Sequence, residues 1–146
     1  MNTSFQAILA TKMIKVRYMP DSQAKEEMEV FKMRFIKKCL ESQFLERRIQ
    51  GIKDLNEVVK DATLMHKGDE TQKIIQWILE NGVLNTIWEP KKTHEQIVKR
   101  SEDILSCFLK ADLLTEPLLE MFWSLTKSDY KLEVFKILNN VDYYLE

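Results

Sequence analysis

The stretch ERRIQGIKDLNEVVK, from Glu46 to Lys60, carries the clearest indication of the fold. Its apolar residues recur every three or four positions, which predicts an amphipathic helix with one buried face. Gly51 interrupts this pattern between Ile49 and Ile52, although a glycine inside a helix costs about 1 kcal/mol relative to alanine. We expect the missing Cβ atom to let a neighbouring helix approach closely, so the sequence around Gly51 predicts tightly stacked helices.

The composition is that of a helical domain with a large core. The chain has 146 residues, of which 45% are hydrophobic and 31% charged, and it contains only three glycines and three prolines. These values predict a single all-helical domain over residues 1–146. The net charge of -1 gives no electrostatic basis for binding nucleic acid or a membrane surface. No apolar run approaches the roughly 18 residues of a membrane span.

Start and stop signals divide the chain into about seven amphipathic helices joined by short loops. The first is predicted within residues 5–16, although residues 1–20 contain no acidic side chain and also resemble a transit peptide. The final residues, DYYLE, carry no helix-ending signal, so we expect the chain to be a fragment of a larger protein. The other six predicted helices begin near Ser22, Ser42, Thr71, Thr93, Thr115 and Ser128.

Three local signals define the predicted helix ends most sharply. The sequence HKGDE, residues 66–70, predicts a loop in which Gly68 adopts the left-handed conformation. Asn81 and Gly82 predict the end of the next helix, before a short helical turn over residues 83–88. Thr93 and Gln96 have the spacing of a capping box, in which each side chain would satisfy a backbone N–H of the other residue.

Consecutive amphipathic helices with short connections pack as antiparallel neighbours. Two architectures meet this condition, an armadillo/HEAT-like superhelical array and a closed helical bundle. The segments ILENGVL (residues 78–84) and FLKADLL (residues 108–114) share apolar positions about thirty residues apart. This internal repetition favours the array over the bundle.

The sequence offers little for catalysis or metal binding. Its cysteines and histidines are Cys39, Cys107, His66 and His94, and none of them has a partner at the close spacing of a zinc site. Cys107 lies in the apolar stretch ILSCFL without an adjacent base, which favours a buried structural thiol over a nucleophile. We therefore predict no catalytic residue, no metal and no cofactor. Two isolated cysteines without a disulfide pattern fit a cytoplasmic or nuclear protein.

The three tryptophans receive different predictions. Trp123 is in register with Leu119 and is predicted to lie in the core, whereas Trp77 falls outside the apolar face of its helix and is predicted to be partly exposed. Trp88 precedes the loop sequence EPKKTH. Packing of Trp88 beneath this loop is the simpler interpretation, and the alternative is an exposed anchor for a bound peptide.

A candidate protein-contact surface follows from the second interpretation of Trp88. Its residues are Trp88, Lys91, Lys92 and His94. Pairs of adjacent basic residues also occur elsewhere and would either line a groove or form ordinary helix surfaces. They are Lys37-Lys38, Arg47-Arg48, Lys91-Lys92 and Lys99-Arg100.

Several segments together resemble a known family. They are FLERRIQGIKDLNEVVK (residues 44–60), WILENGVLNTIWEPKKTHEQIVKRSEDILSCFL (residues 77–109) and LLTEPLLEMFWSLTKSDYKLEVFKIL (residues 113–138). They are similar to the helical, armadillo-like region that precedes the protease domain in large ubiquitin-specific proteases of the fat-facets (FAF-X) type. The positions that match the family pattern are Gly51, Leu55, Trp77, Leu79, Asn81, Val83, Ile87, Pro90, His94, Ile97, Ile104, Leu105, Phe108, Leu109, Leu114, Thr115 and Trp123.

The resemblance covers residues 44–146 and implies a function without implying an active site. The catalytic Cys and His segments of that family have no counterpart in this chain, and the family's Phe-Gly before the proline is Trp88-Glu89 here. The implied role is a non-catalytic scaffold that positions substrates, adaptors or the protease domain, with other proteins as partners. The alternative is a stand-alone helical adaptor unrelated to ubiquitin.

Overall fold

A computed structural model describes residues 21–64, 68–127 and 129–143 of the chain. The helix predicted within residues 5–16 and the start predicted at Ser128 lie outside these residues. The described part folds into eight α-helices and one 3₁₀ segment. They are α1 (Asp21–Leu40), α2 (Leu45–Leu64), α3 (Gly68–Glu80), α4 (Val83–Ile87), α5 (Glu95–Lys99), α6 (Glu102–Lys110), α7 (Glu116–Trp123), the 3₁₀ segment Ser124–Lys127, and α8 (Lys131–Tyr143).

Helix α2 is the centre of the packing. It contacts α1, α3, α5 and α6, while α8 contacts α5, α6 and the 3₁₀ segment. The apolar stripe predicted for α2 is buried from Ile52 onward, since Ile52 and Leu55 are fully inaccessible to solvent and Val59 nearly so. Leu45 and Ile49, at its start, are partly buried. One continuous apolar core, which includes Phe108 and Phe122, joins the helices. Among the described residues, none of the helices is long and apolar enough to cross a lipid bilayer.

Gly51 lies where α2 touches the end of α1. A Cβ atom placed on this residue would lie 2.9 Å from Cys39 Cβ, 3.1 Å from the backbone nitrogen of Leu40 and 3.2 Å from Leu40 Cδ2. Ordinary carbon–carbon contacts need about 3.5–4.0 Å. Close packing of helices therefore explains the glycine, as the sequence predicted.

The two segments with internal similarity end their helices in the same way. Gly82 ends the loop after α3 with φ 61°, and Asp112, at the corresponding position after α6, has φ 58°. Asp112 is the one non-glycine residue with positive φ in the described part of the chain. Since only glycine adopts this conformation freely, its recurrence thirty positions later shows that the similarity extends to the backbone.

Substitutions at the two positive-φ positions are expected to change the free energy of unfolding in opposite directions. Gly82→Ala is expected to lower the free energy of unfolding by about 1–2 kcal/mol, because alanine is strained in the left-handed region. The side chain itself would not clash, as the nearest atom to a Cβ there is Asn85 Nδ2 at 3.9 Å. Asp112→Gly should instead raise the free energy of unfolding by up to about 1 kcal/mol. Urea denaturation of both variants measures this, and a loss of stability in Asp112→Gly would contradict the explanation.

Two of the predicted helix boundaries are wrong. Helix α3 begins at Gly68, so the predicted loop over residues 66–70 does not extend to Glu70. The helix predicted to begin at Thr93 is interrupted at Arg100 and Ser101 and forms two helices, α5 and α6. The carbonyl of Arg100 accepts a hydrogen bond from Asn56 Nδ2 of α2 at 2.9 Å, which holds the interruption against the central helix.

The prediction that Trp123 lies in the core is also wrong. Its side chain is 49% exposed, whereas the preceding Phe122 is fully buried. Trp123 lies against Phe135 of α8, with ring centroids 5.4 Å apart. Trp77 is partly buried, in agreement with its prediction.

Candidate functional site

Trp88 is a buried residue, which corrects its assignment to the protein-contact surface. It is 2% exposed and packs on Phe122, with ring centroids 5.0 Å apart. Its indole Nε1 donates to Ser101 Oγ at 2.8 Å, and this hydroxyl donates to the carbonyl of Ile97 at 3.0 Å. A buried indole needs an acceptor, and the interruption between α5 and α6 supplies one. Packing beneath the loop is therefore the correct interpretation.

His94 directly precedes α5 and takes the capping role predicted for Thr93. Its Nδ1 accepts a hydrogen bond from the backbone N–H of Gln96 at 3.1 Å. The Thr93 hydroxyl is turned inward and donates to the carbonyl of Ile87 at 2.7 Å. The predicted capping box of Thr93 and Gln96 is therefore wrong, because a buried carbonyl of another element binds the threonine hydroxyl instead.

Hydrogen bonds fix the backbone of the loop from Glu89 to Thr93. The carbonyl of Glu89 accepts hydrogen bonds from the backbone N–H groups of Lys92 at 3.1 Å and Thr93 at 2.9 Å. The Tyr130 hydroxyl, just before α8, donates to the Thr93 carbonyl at 3.0 Å. These contacts form a tight turn that leaves the side chains of Lys91 and Lys92 exposed.

Arg48 of α2 brings two of the four basic pairs together. Its Nη1 donates to the carbonyl of Lys92, 44 positions later in the chain. This contact places Arg48 against the loop that carries Lys91 and Lys92, and we call these three residues, together with the adjacent Arg47, the basic junction. In the other two pairs, three of the four residues have partners elsewhere: Lys37 with Glu41 at 3.9 Å, Lys99 with Glu95 at 3.1 Å, and Arg100 with Gln96 Oε1 at 2.8 Å.

Three cations of the basic junction lie outside ion-pair distance of a carboxylate. Within the described residues, Arg48, Lys91 and Lys92 form no ion pair with a carboxylate. The same loop contains Glu89, whose Oε1 accepts from the backbone N–H of Lys91 at 3.3 Å and whose Oε2 is buried without a donor. The Nε of Arg48 is likewise buried without an acceptor.

Phe44 is a residue of this surface that the sequence analysis did not assign to it. It is 65% exposed, and the Arg47 guanidinium lies 5.5 Å from the centre of its ring. Phe44 precedes α2 outside the apolar stripe, and its backbone N–H donates to Ser42 Oγ. The sequence does contain a signal for Phe44. It is an apolar residue that lies between a capping serine and a basic pair, and it is out of register with the buried face of α2.

The cavity beside the basic junction is too small for a metabolite. It measures about 10 Å³ and is lined by Leu40, Arg48, Thr86, Ile87, Thr93 and Ile97. This volume is close to that needed for one water molecule, whereas small-molecule sites occupy about 300–1,000 Å³. The exposed cations and Phe44 instead suit contact with a macromolecular partner.

Both cysteines are buried and unlinked, and burial raises the pKa of each thiol. For Cys39 the nearby charge of Asp54 adds to this rise in pKa. A raised pKa lowers the thiolate fraction, and the thiolate is the reactive form. Within the described residues, no three His, Cys, Asp or Glu side chains are grouped closely enough to hold a metal ion.

We expect both thiols to react slowly with Ellman's reagent at pH 8 in the folded chain. In the folded chain, Cys107, 3% exposed, should react more slowly than Cys39, 9% exposed. After denaturation in guanidinium, both cysteines should react at the rate of an exposed thiol. Because the folded-state pKa is raised, the contribution of each thiol to stability is present below its ordinary pKa of about 8.5 and is lost as the pH rises above it. Rapid modification of the native chain would contradict this assignment.

Comparison with known proteins identifies the type of helical repeat. Residues 26–141 match the family model described as the UBP24/USP9X/USP9Y ARM repeat. This match begins within α1 and ends within α8. It confirms the armadillo-like architecture that the internal repetition favoured over a closed bundle. No curated protein and no solved structure gave a significant match to the chain.

Proposed function

Because this chain belongs to the UBP24/USP9X/USP9Y ARM repeat family, we propose that it is a non-catalytic module of a deubiquitinating enzyme that holds substrate or partner proteins. The observation that carries the proposal is the family match over almost all of the described helices. The ARM repeat is a non-catalytic region, and armadillo-type arrays present extended surfaces for protein binding. Trp88 and the two thiols have structural roles that agree with this function.

The exposed part of the predicted contact surface is the place where partners would bind. Lys91 and Lys92 project from a loop tied to α2 and to Tyr130. A rigid surface of this kind loses little conformational entropy when a partner binds. His94 lies at the edge of this surface, with its Nδ1 engaged as a helix cap.

The partner-binding role is tested by comparing two charge-reversed variants of the chain. Proteins captured from a cell lysate by the parent chain would be quantified against those captured by Lys91→Glu/Lys92→Glu and by Lys25→Glu/Lys73→Glu. Lys25 and Lys73 are exposed lysines of α1 and α3, so the control variant has the same net charge. We expect the first variant to lose a defined set of proteins that the control retains. Equal capture by all three chains would contradict binding at this surface.

The absence of catalysis is tested separately with a ubiquitin–fluorophore substrate. We expect no turnover above buffer by the chain on its own. Turnover abolished by a cysteine-directed inhibitor would overturn the non-catalytic assignment.

A further inference from the structure

Helices α7 and α8 together carry a group of apolar side chains that lie outside the core. They are Leu119 and Trp123 of α7 and Leu132 and Phe135 of α8, and we call these four residues the α7–α8 patch. We propose that a second copy of this chain covers the patch, so that the two copies form a two-fold symmetric dimer. This inference is independent of the proposed partner-binding function, which concerns the loop that contains Lys91.

The four side chains form one continuous surface. The rings of Trp123 and Phe135 join the two helices, with centroids 5.4 Å apart. On α7, Leu119 lies four positions before Trp123, so the two share one face of the helix. On α8, Leu132 lies three positions before Phe135 and shares its face in the same way. Leu132 is 67% exposed and Trp123 49%, whereas the adjacent Phe122 is fully buried in the core.

The composition of the patch is that of a protein contact. A single exposed apolar side chain is ordinary on a protein surface, whereas contiguous ones mark interaction sites. Tryptophan and phenylalanine are also enriched among the residues of interfaces. The apolar side chains therefore indicate a protein contact, and the charges around them indicate the partner.

The α7 side of the patch is acidic. Glu116 and Glu120 lie seven and three positions before Trp123, which places them on the same side of the helix. Both are exposed, and they are the only charged residues of α7. A partner therefore meets two negative charges on the side of α7 that carries Trp123.

The α8 side of the patch is basic. Lys131 Nζ lies 5.7 Å from the centre of the Phe135 ring. Lys136 lies four positions after Leu132, on the same face, and both lysines are exposed. Glu133, the one acid among the α8 side chains that the structure describes, lies against α5 instead. The segment between the two helices adds one charge of each sign.

A surface with acids on one side and bases on the other is complementary to itself. A two-fold axis that runs between the α7 and α8 sides of the patch places the glutamates of one copy opposite the lysines of the other, twice in each dimer. The apolar side chains then meet at the centre, surrounded by the charged pairs. A partner with one sign of charge would be attracted to one side and repelled by the other. The charge pattern therefore favours a second copy of the chain over a nucleic acid or a charged peptide.

The direct test is sedimentation velocity of the whole chain over a range of concentrations. Because the patch is small, we expect reversible dimers with a Kd of about 10–100 μM. Leu132→Ser should weaken dimerisation at least about tenfold, since each dimer loses two buried leucine side chains. Leu79→Ser is the matched control. Leu79 of α3 is 48% exposed outside the patch, and its substitution should change the Kd by less than about twofold.

Exchanged charges test the two-fold pairing. The variant Glu116→Lys/Glu120→Lys has lysines on both sides of the patch, and the variant Lys131→Glu/Lys136→Glu has glutamates on both sides. Each variant alone should dimerise about tenfold more weakly than the parent, because like charges meet. An equimolar mixture of the two should form dimers with a Kd within about threefold of the parent value, because every pair again joins opposite charges. Thermal unfolding of each variant verifies that the fold is retained.

Three outcomes would overturn the inference. A chain that stays monomeric up to about 1 mM would leave the patch to another occupant, such as a helix of a longer protein. Dimers that Leu132→Ser and Leu79→Ser weaken equally would form through a different surface. A mixture of the exchanged-charge variants that dimerises no better than each variant alone would exclude the two-fold pairing. Lysate capture that depends on Lys91 and Lys92 is measured independently, so the proposed function would stand if this inference failed.

Discussion

Gly51→Leu is expected to lower the free energy of unfolding by about 3 kcal/mol, the upper part of the range for overpacking a well-packed core. Even the Cβ atom would lie 2.9 Å from Cys39 Cβ and 3.1 Å from the backbone nitrogen of Leu40. Neither neighbouring atom is at the end of a flexible side chain, so the end of α1 must move. Gly51→Ala should also destabilise the chain, by about 1 kcal/mol, although alanine gains about 1 kcal/mol in helix propensity. Urea denaturation measures both changes.

Two controls separate close packing from helix propensity. Gln50→Leu places a leucine on the exposed face of the same helix and should change the free energy of unfolding by less than about 0.5 kcal/mol. Cys39→Gly removes the nearest opposing atom, so Gly51→Ala should cost less in that background than in the parent. A Gly51→Ala variant more stable than the parent would refute the close-packing explanation.

Trp88→Ala is expected to lower the free energy of unfolding by about 3–5 kcal/mol, the usual cost of removing a large buried aromatic side chain. The residue is 2% exposed, packs on Phe122 and satisfies Ser101 through its indole N–H. Trp88→Phe should cost less, because the ring still fills most of the space and the Ser101 hydroxyl keeps its bond to the Ile97 carbonyl. Chemical denaturation with tryptophan fluorescence and circular dichroism in parallel measures these differences.

Trp123→Ala is the matched control for Trp88→Ala. Trp123 is 49% exposed and contacts Phe135, so its loss should cost about 1 kcal/mol. The two substitutions remove the same side chain from the same chain and differ only in burial. If they were equally destabilising, the assignment of Trp88 to the core and Trp123 to the surface would be wrong.

The helices and their tightest contact could be predicted from local patterns. The stripe of α2, the close approach at Gly51 and the helix end at Gly82 each depend on residues near one another in the chain. Trp123 shows the limit of this reasoning. Phe122 and Trp123 are adjacent, so they point about 100° apart on a helix and cannot both lie at the centre of its buried face. Periodicity placed both residues in the core, and the structure buries Phe122 but leaves Trp123 half exposed.

The candidate surface was only partly predictable because its contacts join distant positions. Lys91, Lys92 and His94 were identified from one loop, but their association with Arg48 depends on a contact across 44 residues. The role of Thr93 depended on the carbonyl of Ile87 and the hydroxyl of Tyr130, which no local spacing reveals. Local sequence patterns indicate which helix, turn or cap a residue favours. They do not indicate which distant group will form a hydrogen bond with its side chain.

The loop that carries Lys91 and Lys92 is tied by groups that lie 44 and 37 positions away from the residues they bind. Closing such long intervals costs chain entropy, so we expect these contacts to form after the elements at both ends are in place. The loop therefore reaches its native shape only when α2, α5 and the start of α8 have assembled. A newly synthesised or damaged chain would lack this surface, and a partner that binds it would distinguish the completed fold from its folding intermediates.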